Sequence, residues 1–388
     1  MINLKFSKED TLAIKGIAIL MMIHFHGFST TNSYKNFDIS FFPFSESAVI
    51  LISNSFKVCV GMFALLSGYG LALSVKKYMN NDGTLVKKGY SKYLYPRLLK
   101  LMSGYWFIFI LAQIACAIIT QSQSEIYFSD GITQGIYKFI LDFFGLSYLF
   151  GLEPLNDNWW YMSLAILIIV IVPFILYLIK RFNSLLPIIL VVFIPRIILL
   201  GQDFSVGEMN NPMRWLLAVV LGVIFAEYDV LARAKGFMIG KNKVVSKLLK
   251  FVISTAILLL MFYVRISFSP KPVRDYTYEF NDNIVAAFLI YYLYDFIVDI
   301  PILRQILVFL GKHSMNMFLI HTFIRLTFLK SFVYSFRYFA LVTLVVVIIS
   351  LVLSVIIELI KKVCGYNKLI EKIQNKIWNV FCIEKAQA

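Results

Sequence analysis

Apolar runs of nearly uniform length, separated by short polar breaks, dominate this chain. They cover roughly 11–29, 58–75, 101–120, 159–179, 184–200, 214–230, 250–267, 284–300, 305–329 and 338–360. Each is close to the ~17–25 residues an α-helix needs to cross a bilayer core. The pattern predicts an all-α fold, a polytopic membrane helical bundle of about ten transmembrane helices. One further stretch, 136–151, is apolar but short and carries Lys138 and Asp142. If it crossed, Lys180 and Arg181 would fall on the side poor in positive charge, so it is expected to be re-entrant or interfacial.

Composition agrees with this pattern. Of 388 residues, 60% are hydrophobic and 15% charged, and the mean hydropathy is +0.78. A soluble domain of this length has no use for so much apolar surface. The net charge of +15 would suggest nucleic acid on a soluble protein, but here its distribution explains it, and no nucleic-acid partner is expected. The N-terminus through Lys15 and the segments 76–100, 180–183, 233–250, 300–312 and 361–388 hold about 26 of the 37 Lys and Arg. Such asymmetry places both termini in the cytoplasm. The division is thus an integral membrane domain over 1–360 and a basic amphipathic cytoplasmic tail over 361–388, the latter read as an interfacial anchor. Residues 1–10 are polar and no small-residue cleavage site follows the first run, so that run is read as a retained helix. Cys59, Cys116, Cys364 and Cys382 show no metal or disulfide spacing, and no metal is expected.

Against this background the first run stands out because it contains Lys15, His24 and His26. Ionisable groups within a membrane are costly and mark functional sites by default. On a helix Lys15 and His26 lie ~16 Å apart along the axis, one near a headgroup layer and one past the midplane. A neutral imidazole is available near pH 7 to take a proton from a hydroxyl, so a histidine here is a candidate general base. Residues 24 and 26 differ by ~200° and face opposite sides, so only one belongs in a shared cavity. The segment from Lys87 to Lys100 is basic, and Arg97 and Lys100 share a helical face. Ordinary positive-inside anchoring explains most such clusters, but a guanidinium beside an ammonium also suits phosphate. Asp157 and the Trp159–Trp160 pair open the fourth run. The tryptophans read as belt anchors or sugar-stacking rings, and Asp157 as a group orienting a histidine or binding a hydroxyl. Ser67-Gly68 reads as a packing contact, His321 lies deep in the ninth run with Arg325 one turn on, and Arg196, Asp203, Glu208 and Arg214 cluster between the fifth and sixth.

Five short motifs, in order, carry a resemblance. Lys15-Gly16-Ile17-Ala18 with His26 eleven residues after Lys15, Phe63…Ser67-Gly68-Tyr69, and Arg97-Leu98-Leu99-Lys100 with Tyr105-Trp106 are three of them. Trp160-Tyr161-Met162-Ser163 with Pro173, and Gly311-Lys312-His313-Ser314 with Phe318-Leu319-Ile320-His321, are the others. Together they resemble the acyltransferase 3 family of bacterial integral membrane O-acyltransferases, with Lys15 and Lys100 standing where the family has arginines. The resemblance implies transfer of an acyl group, most often acetyl, from cytoplasmic acetyl-CoA or another acyl-CoA to a hydroxyl beyond the bacterial cytoplasmic membrane. Acceptors would be a polysaccharide of the exopolysaccharide or capsule type, or a lipid-linked sugar. It implies His26 as catalytic base and Lys15, Arg97 and Lys100 as donor-binding residues. Asp157, Trp160, His321 and Arg196 are the candidate acceptor contacts, and membrane lipid is the other expected partner. Direct transfer is expected, with an acyl-enzyme on His26 as the other route. The competing class is a multi-span transporter or flippase of a cell-envelope glycan precursor, although no paired, Gly- or Pro-interrupted half-repeats are evident.

Overall fold

The computed structural model of the chain describes residues 5–120, 123–198, 212–267 and 276–382, and it is all-helical apart from two isolated bridges. Helix α1 (Lys8–Phe28) begins at a reciprocal cap in which Ser7 Oγ accepts from the Asp10 amide at 3.1 Å and Asp10 accepts from the Ser7 amide at 2.8 Å. The cap satisfies amides that would otherwise be orphaned at a helix start. Asp10 also pairs with Arg304 at 2.6 Å. A short helix α2 (Glu46–Ser55), lying between the first two apolar runs, leads through a 3₁₀ turn into α3 (Cys59–Val75). The turn after α3 is tied by Asp82, which accepts from the Thr84 amide and hydroxyl at 2.9 and 2.7 Å. These bonds hold the exposed Asp82 carboxyl below the ordinary carboxylate range.

Helix α4 (Gly89–Ile119) starts a dozen residues before the expected third span, so the basic segment is its first turns. Two short helices follow, α5 (Gln123–Phe128) and α6 (Ile132–Phe143), and then α7 (Trp160–Arg181). The direction of α7 settles what lies between. Tyr93, early in α4, donates to the Ile169 carbonyl at 2.8 Å, while Tyr105, a dozen residues on, meets Trp159 at the head of α7 with ring centres 5.1 Å apart. The two helices are therefore antiparallel, and 120–159 returns to the side it left. At 12 residues α6 is ~18 Å long, too short to cross. Its Asp142 is buried and braces the excursion, accepting from Tyr105 (3.2 Å), Tyr127 (2.5 Å) and the Leu155 amide (2.7 Å).

The second half comprises α8 (Leu185–Ile198), α9 (Leu216–Tyr228), α10 (Val230–Gly236), α11 (Lys243–Ser267) and α12 (Tyr276–Phe296). Then come α13 (Pro301–Thr322), a π-helical turn Phe323–Phe328, α14 (Lys330–Tyr334), α15 (Phe339–Val363), α16 (Tyr366–Ile377) and a second π-turn Trp378–Cys382. Among the described residues six helices are long and apolar enough to cross a membrane, or seven if α9 with the turn before it and α10, bent by 65°, form one span. Helices α8, α12 and α13 cover the other expected segments. Helix α13 carries Arg304, Lys312 and His313. Its inner face packs on α1, α4 and α15, and a span that meets protein along one face needs less apolarity than one that meets lipid all round. The buried charges of α11 and α12 pair with each other, Lys250 with Asp295 at 2.6 Å and Arg265 with Asp282 at 2.5 Å.

Two glycine-mediated crossings hold the bundle together. A methyl group on Gly16 would strike the Leu307 backbone in α13, and one on Gly311 would strike the Leu12 backbone in α1. Likewise Gly68 of α3 abuts Val219, and Gly222 of α9 abuts Leu65. In lipid, close backbone approach through small residues is the main source of helix–helix packing. Both pairs run parallel, since Asp10 meets Arg304 while His26 meets His321, and Gly61 meets Trp215 while Lys76 meets Ala226.

Candidate active site

The parallel contact of α1 and α13 places the deep ends of both helices side by side. The rings of His26 and His321 lie 5.1 Å apart at an interplanar angle of 41°. His321 is fully buried, and its Nδ1 donates to the Phe318 carbonyl at 2.8 Å, which leaves Nε2 as an acceptor. The Thr322 hydroxyl lies 3.4 Å from that nitrogen and accepts in turn from Asn158 Nδ2. Trp159 anchors the head of α7 here by donating from Nε1 to the Leu319 carbonyl at 3.1 Å.

His26 opens onto a cavity of about 170 Å³ between α1, α3, α4, α7 and α13. Its polar lining comes from Lys15, His26, Ser67, Asn158, Tyr161 and Ser314, and Met22, Phe63, Trp160 and Phe318 are among its apolar wall. Lys15 and His26 thus occupy one chamber, eleven residues or ~16 Å apart along α1. His24 points elsewhere. Its Nδ1 is 2.9 Å from Thr343 Oγ1 and its ring packs on Phe28, Phe56 and Phe339. Arg325, buried in the π-turn, donates to Ser33 at 3.1 Å.

Arg97 and Lys100 line a second cavity, of about 370 Å³, at the basic end of α4. Arg97 is held there by Nε and Nη2, both donating to Ser74 Oγ on α3. Lys92 and Tyr93 share the wall. Lys15 does not line this pocket, but Leu101 of α4 lines the chamber while Lys100 and Ser103 beside it line the second cavity, so the two adjoin along α4.

The other candidates fall as follows. Trp160 is in the chamber wall, and Trp159 is 2% exposed within the bundle, so neither is a belt anchor. Asp157 is exposed and outside both cavity linings, and the polar group that faces the chamber is its neighbour Asn158. Both sit on one 3₁₀ turn, Asp157–Trp159, whose geometry the sequence does not disclose. Arg196 belongs to α8 with its side chain outside the described residues, and Asp203 and Glu208 lie outside them too. Arg214 is described, and its carbonyl accepts from Asn283 Nδ2 at 2.8 Å. Ser67 faces the chamber while Gly68 makes the packing contact. Asn158, Tyr161 and Thr322 were not candidates from sequence. Among the described residues no group of three or more His, Cys, Asp or Glu could hold a metal ion.

No curated protein and no solved structure gives a match to the chain. Residues 13–359 do match a family defined by an acyltransferase domain, and the match contains most of α1, all of α13 and every residue lining the chamber. Apolar spans, an intramembrane histidine pair and this match lead to one assignment: the chain belongs to the acyltransferase 3 family and is a multi-pass membrane acyltransferase.

Proposed function

We propose that the protein transfers an acyl group, acetyl in the simplest case, from acyl-CoA at its basic face to a hydroxyl of a glycan or lipid-linked sugar at the opposite face. The carrying observation is the single chamber that holds Lys15 at one end and His26 at the other, with the Arg97–Lys100 pocket beside its basic end. Positive-inside asymmetry makes that basic face cytoplasmic, with both termini there. The phosphates of the donor would meet Arg97 and Lys100, and the largely apolar chamber suits an extended thioester arm reaching toward His26.

In this reading His26 takes the proton of the acceptor hydroxyl. The oxygen attacks the thioester carbonyl, the carbon–sulfur bond breaks, and the departing thiolate recovers the proton from the imidazolium. The products are an ester and a free thiol. His321, oriented by the Phe318 carbonyl and Thr322, packs against the base and fixes its position. Asn158, Tyr161 and Ser67 are the donors at hand for the oxygen that becomes negative during attack.

Sealed membrane vesicles of known orientation test this directly. With radiolabelled acetyl-CoA, inverted vesicles containing the protein should incorporate alkali-labile label, and right-side-out vesicles should not. Equal labelling in both orientations, or none in inverted vesicles, would contradict the proposal.

A further inference from the structure

The donor pocket has a wall that lies outside the matched residues. Besides Arg97, Lys100 and Lys92, it is lined by Ile370, Gln374 and Trp378, which come from α16 and the π-turn after it. This segment reads in sequence as an interfacial anchor, and Leu369 and Val380 on it are about half exposed. Its other side is docked on α4. Tyr366 donates to the Ser103 carbonyl at 2.8 Å and packs on Phe107 at 4.9 Å, Phe381 meets Tyr95 at 4.8 Å, and Cys382 is buried. Lys361, at the end of α15, sits over the Phe107 ring at 5.4 Å. Contacts along the whole segment thus fix Trp378 and Gln374 opposite the cations.

We propose that Trp378 and Gln374 form a nucleobase subsite of the donor pocket. The indole offers a face on which a base stacks, the amide can both donate to and accept from a base edge, and the cations across the cavity take the phosphates. The division of chemistry matches a donor that carries a purine nucleotide at one end and a thioester at the other. The inference rests on the reading of the donor as acyl-CoA. A lipid headgroup offers the same phosphate chemistry to Arg97 and Lys100, but it has no base for the indole and amide.

Binding of two probes to the detergent-purified full chain separates these cases. Coenzyme A carries the base, and 4′-phosphopantetheine carries the arm and one phosphate without it. The wild type should bind coenzyme A tighter than phosphopantetheine. Trp378→Ala should weaken coenzyme A binding about tenfold, the scale of one base–aromatic stack, and leave phosphopantetheine unchanged. Trp378→Phe should retain most of the preference, which shows that the segment still docks. If wild type and Trp378→Ala prefer coenzyme A equally, the subsite is wrong and the donor assignment stands. If Trp378→Ala weakens both probes alike, the segment only supports the fold and the subsite is overturned. If the wild type binds neither probe, or both equally while anionic lipid competes for the pocket, the donor assignment itself fails.

Discussion

At the scale of single residues, the environments of the two histidines of α1 separate their roles. His24 is engaged by Thr343 and three phenylalanines, whereas His26 shares a chamber with Lys15 and stacks near His321. Removing a general base typically costs ~10²–10⁴ in rate. His26→Ala should therefore abolish measurable transfer with little change in donor affinity, and His24→Ala should leave transfer near wild type. A radiochemical transfer assay on membranes checks both. The path from Asn158 through Thr322 to His321 makes a second expectation. Asn158→Ala and Thr322→Val each lower activity, and the double variant falls no further than the worse single one, because both break one chain of hydrogen bonds. Fully additive losses would show that the two side chains act separately. Sequence made His26 and Lys15 visible, because a charge in an apolar run needs a reason, and it made Arg97 and Lys100 visible as two cations on one face of a basic segment. It pointed to Asp157 and not to Asn158, because which of these neighbours faces the chamber is set by how one 3₁₀ turn directs them. It also could not tell buried tryptophans from belt tryptophans, since both follow a polar break and open an apolar run.

At the scale of elements, the two glycine crossings are the parts of the fold that leave no room for a side chain. Gly311→Val drives side-chain atoms into the Leu12 backbone and Gly222→Ala into that of Leu65, so neither neighbour can move aside as a flexible side chain would. Such overpacking typically costs 1–3 kcal/mol, here with backbone as the obstacle. Both variants should lower the thermal midpoint or the yield of folded protein in detergent. Gly70→Ala, where a methyl group meets nothing within 4 Å, is the matched control and should leave both unchanged. Equal stability across the three would show that the crossings are looser than described. Three of the four crossing glycines, Gly16, Gly68 and Gly311, stand within the motif positions Lys15-Gly16, Ser67-Gly68 and Gly311-Lys312, so packing accounts for part of the resemblance and chemistry for the rest. Helical periodicity and hydropathy located the long elements. Helix α2 escaped because its ten residues fall below the length of a span, and the docking of α16 escaped because it depends on Tyr366 and Phe381 finding α4.

At the scale of the whole molecule, helix directions carry the argument. Antiparallel α4 and α7, with parallel α1–α13 and α3–α9 pairs, require the segment 120–159 to turn back, as the charge distribution along the chain also requires. They collect the Lys15, Arg97 and Lys100 ends of their helices on one face and the His26–His321 pair deeper. A cysteine replacing Lys8 should accept a membrane-impermeant thiol reagent only from the cytoplasmic side. Cysteines replacing Lys35 and Lys138 should accept it only from outside, and labelling of position 138 together with position 8 would overturn the topology. The central claim is that His26, reached through the chamber, conducts acyl transfer to a surface glycan. NMR of surface polysaccharide from cells carrying wild type, His26→Ala or no protein tests it most directly. Ester-linked acyl signals present with the wild type and absent from the other two are the expected result. Signals that persist with His26→Ala, at wild-type protein levels, would remove His26 from the reaction, and signals unchanged in all three would contradict the account as a whole.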